Sequence, residues 1–174
     1  MRCYVILALL LLGGCSAMPA TGQLQKEIAT SVEAERAYDV QDVLGVGPVF
    51  AAKLAKSGIN TTDQLLANTK TTSARQRLAQ RADIPYGSLL HLARKVDLMQ
   101  IKGVGPRQSN LLEAIGVASI KDLAQRNLDS LYERLIFANH IGRPFVKVDP
   151  AKTQVDRWMR EARQLLSAGK AIEE

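Results

Sequence analysis

The sequence is poor in the residues that most often carry chemistry. Two cysteines, two histidines and one tryptophan occur in 174 residues. Both cysteines, Cys3 and Cys15, lie near the N-terminus, and His91 and His140 are far apart in the chain with no evident carboxylate or cysteine beside them. A disulfide scaffold, a Cys/His zinc site and a nucleophile triad all lack their parts. Aromatic residues make up only 5%, so a core must rest on Leu, Ile, Val and Ala. No apolar run reaches the roughly 20 residues that a membrane-spanning helix needs. Sustained period-two alternation, the mark of a half-buried strand, is also missing. What remains is an ordinary globular balance of 47% hydrophobic and 23% charged residues, which excludes a wholly disordered chain. The net charge of +6 suits an anionic partner and equally serves solubility.

The N-terminus reads as an address. Arg2 supplies positive charge, residues 4–12 are unbroken apolar, and Gly13, Gly14 and Cys15 follow. That is the order of a secretory signal. Leu12-Gly13-Gly14-Cys15 resembles the bacterial lipobox. The resemblance implies cleavage of a signal peptide, residues 1–14, and a diacylglycerol thioether on Cys15. It also implies stable anchoring through two or more acyl chains. By the same family's sorting rule, Ser16 implies the outer membrane, facing the periplasm, in a cell that has one. The alternative is an ordinary signal peptide with an incidental cysteine. Residues 15–37 then form a lipidated tether, in which Leu24, Ile28 and Val32 recur at spacing four and suggest a helical spacer.

From residue 38 the pattern is helical, and it repeats. Leu44-Gly45-Val46-Gly47-Pro48 recurs 58 positions later as Lys102-Gly103-Val104-Gly105-Pro106. Leu54 aligns with Leu112, Gly58-Ile59 with Gly116-Val117, and Leu65 with Leu123. A period of this length, present twice, means a duplicated unit rather than a solenoid. In each copy Gly-Val-Gly predicts a tight turn that a side chain resists, Pro the first helical position, and Gly58 or Gly116 the helix stop. Thr61 with Gln64, and Ser119 with Asp122, predict the cap of a second helix. Further helices are predicted over 73–82, 88–98 and 130–139. A last one opens at Asp149-Pro150 and ends before Gly169, with Val155, Trp158, Met159, Ala162 and Leu165 as its buried stripe. The expected architecture is all-α: two fused helix-hairpin-helix units in one compact domain over 38–168, with a tail at 169–174.

Hydrophobic-Gly-hydrophobic-Gly-Pro followed by an amphipathic helix resembles the helix-hairpin-helix motif of DNA-binding proteins. More closely, residues 38–166 resemble an uncharacterised bacterial family with two such motifs, domain of unknown function 4332. Gly45 to Leu54, Asp97 to Pro106, Asp122 to Asn127 and Trp158 carry that resemblance. It implies the fold and assigns no activity. The general motif gathers backbone N–H groups and a helix N-terminus at one point, a seat for a phosphate. Such binding reads no base edge, so it is sequence-independent and salt-sensitive. Two copies could grip both strands across one groove of a duplex.

The candidate donors are the amides of Gly47, Val49 and Phe50 in the first copy, and of Gly105, Arg107 and Gln108 in the second. Gly45, Gly103 and Val104 shape the turns. Lys102 and Arg107 flank the second turn. The first has Leu44 and Val49 there, with Lys53 and Lys56 further along, so the second copy is the stronger candidate. The competing reading is a compact joint between packed helices, in an envelope protein that docks another protein and binds no nucleic acid. The basic stretch of Arg75, Arg77, Arg81, Arg94 and Lys95 reads as a solvated helix face. Asp63 and Asp122 fall in the first turns of helices, where a carboxylate suits the macrodipole. No catalytic constellation, metal site or cofactor is implied, and a non-enzymatic role is expected.

Overall fold

The computed structural model describes residues 37–43 and 45–173. The signal, Cys15, the spacer and Leu44 lie outside the described residues. After a short 3-10 turn, Val40–Asp42, come eight α-helices: α1 Pro48–Lys56, α2 Thr62–Ala67, α3 Thr72–Arg81, α4 Tyr86–Leu98, α5 Pro106–Ala114, α6 Ile120–Gln125, α7 Leu128–His140 and α8 Lys152–Ser167. The described residues contain no β-sheet; Asp39 and Thr61 form one isolated antiparallel bridge. The protein is all-α.

The duplication is written into the backbone hydrogen bonds. Val46 donates to the Val43 carbonyl at 3.0 Å, and Val104 to Ile101 at 2.9 Å. Ile59 donates to Leu54 at 3.0 Å, and Val117 to Leu112 at 2.9 Å. Gly58 and Gly116 both take φ near +80°, at 78° and 80°, and close their helices as the sequence predicts. The caps repeat too. The Gln64 amide donates to Thr61 Oγ1 at 3.3 Å, and the Asp122 amide to Ser119 Oγ at 3.2 Å. In the first copy the Gln64 side chain reaches back to the Thr61 amide, completing the capping box. In the second the shorter Asp122 accepts instead from Ala118, at 3.2 Å.

Two apolar clusters fill the interior, one per copy. Val40, Val43, Leu54, Leu65, Leu78, Leu89, Leu92 and Val96 belong to the first. Leu98, Ile101, Val104, Leu112, Leu123, Leu135, Val155 and Trp158 belong to the second. Helix α4 serves both, since Leu89, Leu92 and Val96 point into one cluster and Leu98 into the other. At roughly 1.5–3 kcal/mol per fully buried side chain, these clusters are the main stabilising term. Helix α8 buries Val155, Trp158, Met159 and Ala162, the stripe read from its spacing, with Leu165 partly buried beside them.

Two expectations are corrected. The basic stretch is not one solvated face, because Arg75 is 1% exposed. Its guanidinium donates to the carbonyls of Thr69 at 2.8 Å and Glu173 at 2.6 Å, and to Thr72 Oγ1 at 3.0 Å. Periodicity assigns Arg to the outside; here the chain end folds back and supplies the acceptors. Residues 169–173 are accordingly docked. Ile172 is buried, its amide donates to Asp97 Oδ1 at 3.2 Å, and the Glu173 amide donates to the Lys70 carbonyl at 2.9 Å. The histidines also have carboxylate partners: His91 Nε2 lies 2.7 Å from Glu113, and His140 Nε2 lies 2.8 Å from Asp149. Both partners come from neighbouring elements, which spacing along one helix does not disclose.

Candidate nucleic-acid interface

Each elbow uses its two glycines differently. Gly45 and Gly103 take φ of 101° and 87°, where a side chain is strained. Gly47 and Gly105 have ordinary negative φ and cap α1 and α5, with Pro48 and Pro106 at the first turn. The expectation that both glycines of a turn need conformational freedom therefore holds for the first of each pair. At Gly105 the requirement is space: a Cβ there would stand 3.0 Å from the Tyr38 hydroxyl. At Gly47 nothing lies within 4 Å.

Among the described residues, the amides of Val49 and Phe50, and of Arg107 and Gln108, have no hydrogen-bond acceptor. Those of Val46 and Val104 are taken inside the turn. The Gly105 amide donates to its neighbour's side chain, Gln108 Oε1, at 3.3 Å. The elbows are thus part open and part internally satisfied.

Their surroundings diverge. Beside the first elbow lies a cleft of about 380 Å³ lined by Gly45, Val46, Phe50, His91 and Lys95. Lys95 is 7% exposed and sits 2.8 Å from Glu113, which also holds His91. Lys53 is turned away to Asp83, donating to its carbonyl at 2.6 Å and its carboxylate at 2.8 Å. That bond, with the Lys53 charge, holds the Asp83 carboxyl below the ordinary range. Val49 at the tip of the elbow is 69% exposed. The first elbow therefore presents an apolar tip, with Lys53 and Lys95 both engaged.

The second elbow borders a groove of about 810 Å³, lined by Gly103, Gly105, Arg107, Gln108 and, across it, Tyr38 and Arg143. Lys102 and Arg107 are exposed beside the turn, and Val104 is buried beneath it. Neither Lys102, Arg107 nor Arg143 has an ion-pair partner among the described residues, although Asp42 also lines the groove. The sequence reading groups Lys102, Gly103, Gly105, Arg107 and Gln108; the structure places the last four on this groove and Lys102 exposed beside the turn. That reading missed Arg143 and Tyr38, which arrive from a loop and from the chain entry.

The loop that carries Arg143 is pinned at Phe145, Val146 and Asp149. The buried Asn139 side chain donates to the Val146 carbonyl at 3.1 Å and to Asp149 Oδ1 at 2.7 Å. Its oxygen accepts from the amides of Phe145 at 2.9 Å and Val146 at 3.0 Å. The hydrogen bonds from His140 and Asn139 keep the Asp149 carboxyl below its ordinary value. Trp158 lies behind the turn, its indole nitrogen 3.4 Å from where a Cβ on Gly103 would stand.

Among the described residues no group of three or more His, Cys, Asp or Glu side chains could hold a metal ion. No described helix is long and apolar enough to cross a membrane. No curated protein and no solved structure matches the chain. A family model described as a domain of unknown function, DUF4332, matches residues 44–165 and so spans both elbows, α1 to α7 and most of α8. By that match over most of its length, the chain belongs to the DUF4332 family.

Proposed function

We propose that this protein is a non-catalytic binding module, tethered to the envelope membrane through acyl chains on Cys15, that holds the phosphate backbone of duplex DNA without sequence preference. Its two elbows act as helix-hairpin-helix motifs, and the second makes the main contact. The observation that carries this reading is the groove at the second elbow, lined both by Arg107, in the first turn of α5, and by Arg143, neither with an ion-pair partner among the described residues. Backbone amides and exposed arginines together suit a phosphate, a contact that reads no base. Lys102 adds a third cation beside the turn.

A gel-shift titration with random-sequence duplex tests it. Arg107→Glu and Arg143→Glu should each weaken binding at least tenfold, about the loss of one charge-assisted contact. Lys53→Gln should leave affinity unchanged. Equal affinities across all four proteins reject the reading. The anchor is tested separately: Cys15→Ala should abolish labelling by radioactive fatty acid, and persistent labelling rejects it.

The exposed Val49 favours a second reading at the first elbow. An apolar tip beside engaged cations suits a protein contact better than a phosphate, as in an envelope scaffold. If Val49→Asp abolishes capture of an envelope protein while DNA affinity is retained, the two elbows serve different partners.

A further inference from the structure

We propose that the last turn of α7 and the loop that follows it, residues 141–149, form a surface for an anionic lipid bilayer. Three large apolar side chains stand out there: Phe137 is 68% exposed, Ile141 58% and Val148 82%. Phe137 and Ile141 lie one helical turn apart, on the side of α7 away from the buried Leu131 and Leu135. Val148 is exposed on the loop that Asn139 and His140 tie to the end of α7. None of the three belongs to either buried cluster. The end of α7 and the loop are joined by five hydrogen bonds that involve Asn139 or His140, two of them accepted by Asn139 Oδ1 from the amides of Phe145 and Val146, so little backbone ordering is required when the tips are buried.

Charge identifies the occupant. Arg134, Arg143 and Lys147 are exposed around the apolar tips, and none has an ion-pair partner among the described residues. Glu133 is the opposing carboxylate; Asp149 is held by His140 and Asn139, and Asp129 by Lys152. Bulky apolar groups flanked by Lys and Arg are the composition of segments that lie in the headgroup region. Each such cation gains attraction from anionic lipid. Arg143 is shared with the groove at the second elbow, whereas Phe137, Ile141, Val148, Arg134 and Lys147 lie outside it.

Vesicle co-sedimentation of the full chain carrying Cys15→Ser, so that acyl chains contribute nothing, is the test. Neutral phosphatidylcholine vesicles are compared with vesicles containing about 30% phosphatidylglycerol. Tighter binding to the anionic vesicles is expected. Phe137→Ser/Ile141→Ser/Val148→Ser should weaken that binding at least tenfold, and Arg134→Gln/Lys147→Gln by roughly 30-fold, at about fivefold per cation. All five positions are exposed, so thermal melts should match the parent. The triple variant should bind duplex DNA as the parent does, which separates this surface from the groove. Equal binding to the two vesicle types, no binding to either, or an unaffected triple variant overturns the proposal.

Discussion

The indole of Trp158 stands directly behind Gly103: a Cβ on that glycine would lie 3.4 Å from Nε1, which is buried and has no acceptor among the described residues. The chain's single tryptophan therefore forms the inner wall of the second elbow. It is both a packing constraint on the turn and a built-in reporter of what happens there.

Backbone conformation separates the two kinds of elbow glycine by mutation. Gly103→Ala combines a φ of 87° with a crowded neighbour, and should destabilise by about 1–3 kcal/mol. Gly47→Ala has ordinary φ and open space, and should cost at most about 1 kcal/mol, the penalty of an alanine at a helix N-cap. Urea unfolding followed by Trp158 fluorescence measures both. Equal costs would contradict the roles assigned to the two glycines.

Arg75 is the clasp of the chain end. Arg75→Met removes the donors to Thr69, Thr72 and Glu173 and leaves carbonyls stranded in the interior, a loss of about 2–4 kcal/mol. The amides of Ile172 and Glu173 should exchange with deuterium much faster in that variant. Unchanged protection there would show that the C-terminal segment is held by something else.

Asp149 makes one local contribution depend on pH. Its carboxyl lies below the ordinary value of 3.8, first through the hydrogen bond from His140 and then that from Asn139. A depressed folded pKa stabilises fully above the unfolded value, and the benefit disappears as pH falls through the folded pKa. Comparing the melting temperatures of the parent and Asp149→Asn should show a gap at pH 5 that closes below about pH 4. A gap that is constant with pH would remove the carboxylate from the account.

Much of this architecture is legible in the sequence, because its signals are local. Gly58 and Gly116, Pro48 and Pro106, and the caps at Thr61 and Ser119 each act within a few residues, so a repeated string fixes a repeated backbone. The cations of the second turn are legible for the same reason. Arg143, Tyr38 and the partners of His91, His140 and Arg75 are not, since they meet across elements. Burial of Arg75 is the instructive case: composition places arginine outside, and only a fold that brings backbone carbonyls to it reverses the preference. Position in the repeat groups the Val49 amide and Lys53 with the phosphate-binding candidates, and that amide has no acceptor among the described residues. The structure leaves Val49 exposed at an apolar tip and ties Lys53 to Asp83.

The central claim, that the second elbow grips phosphates, is tested most directly by titrating Trp158 fluorescence with duplex DNA of two unrelated sequences. If Lys102, Arg107 and Arg143 each neutralise one phosphate, affinity should fall about 40-fold between roughly 50 and 200 mM salt, equally for both sequences. No binding at the lower salt, or an affinity indifferent to salt, would contradict it.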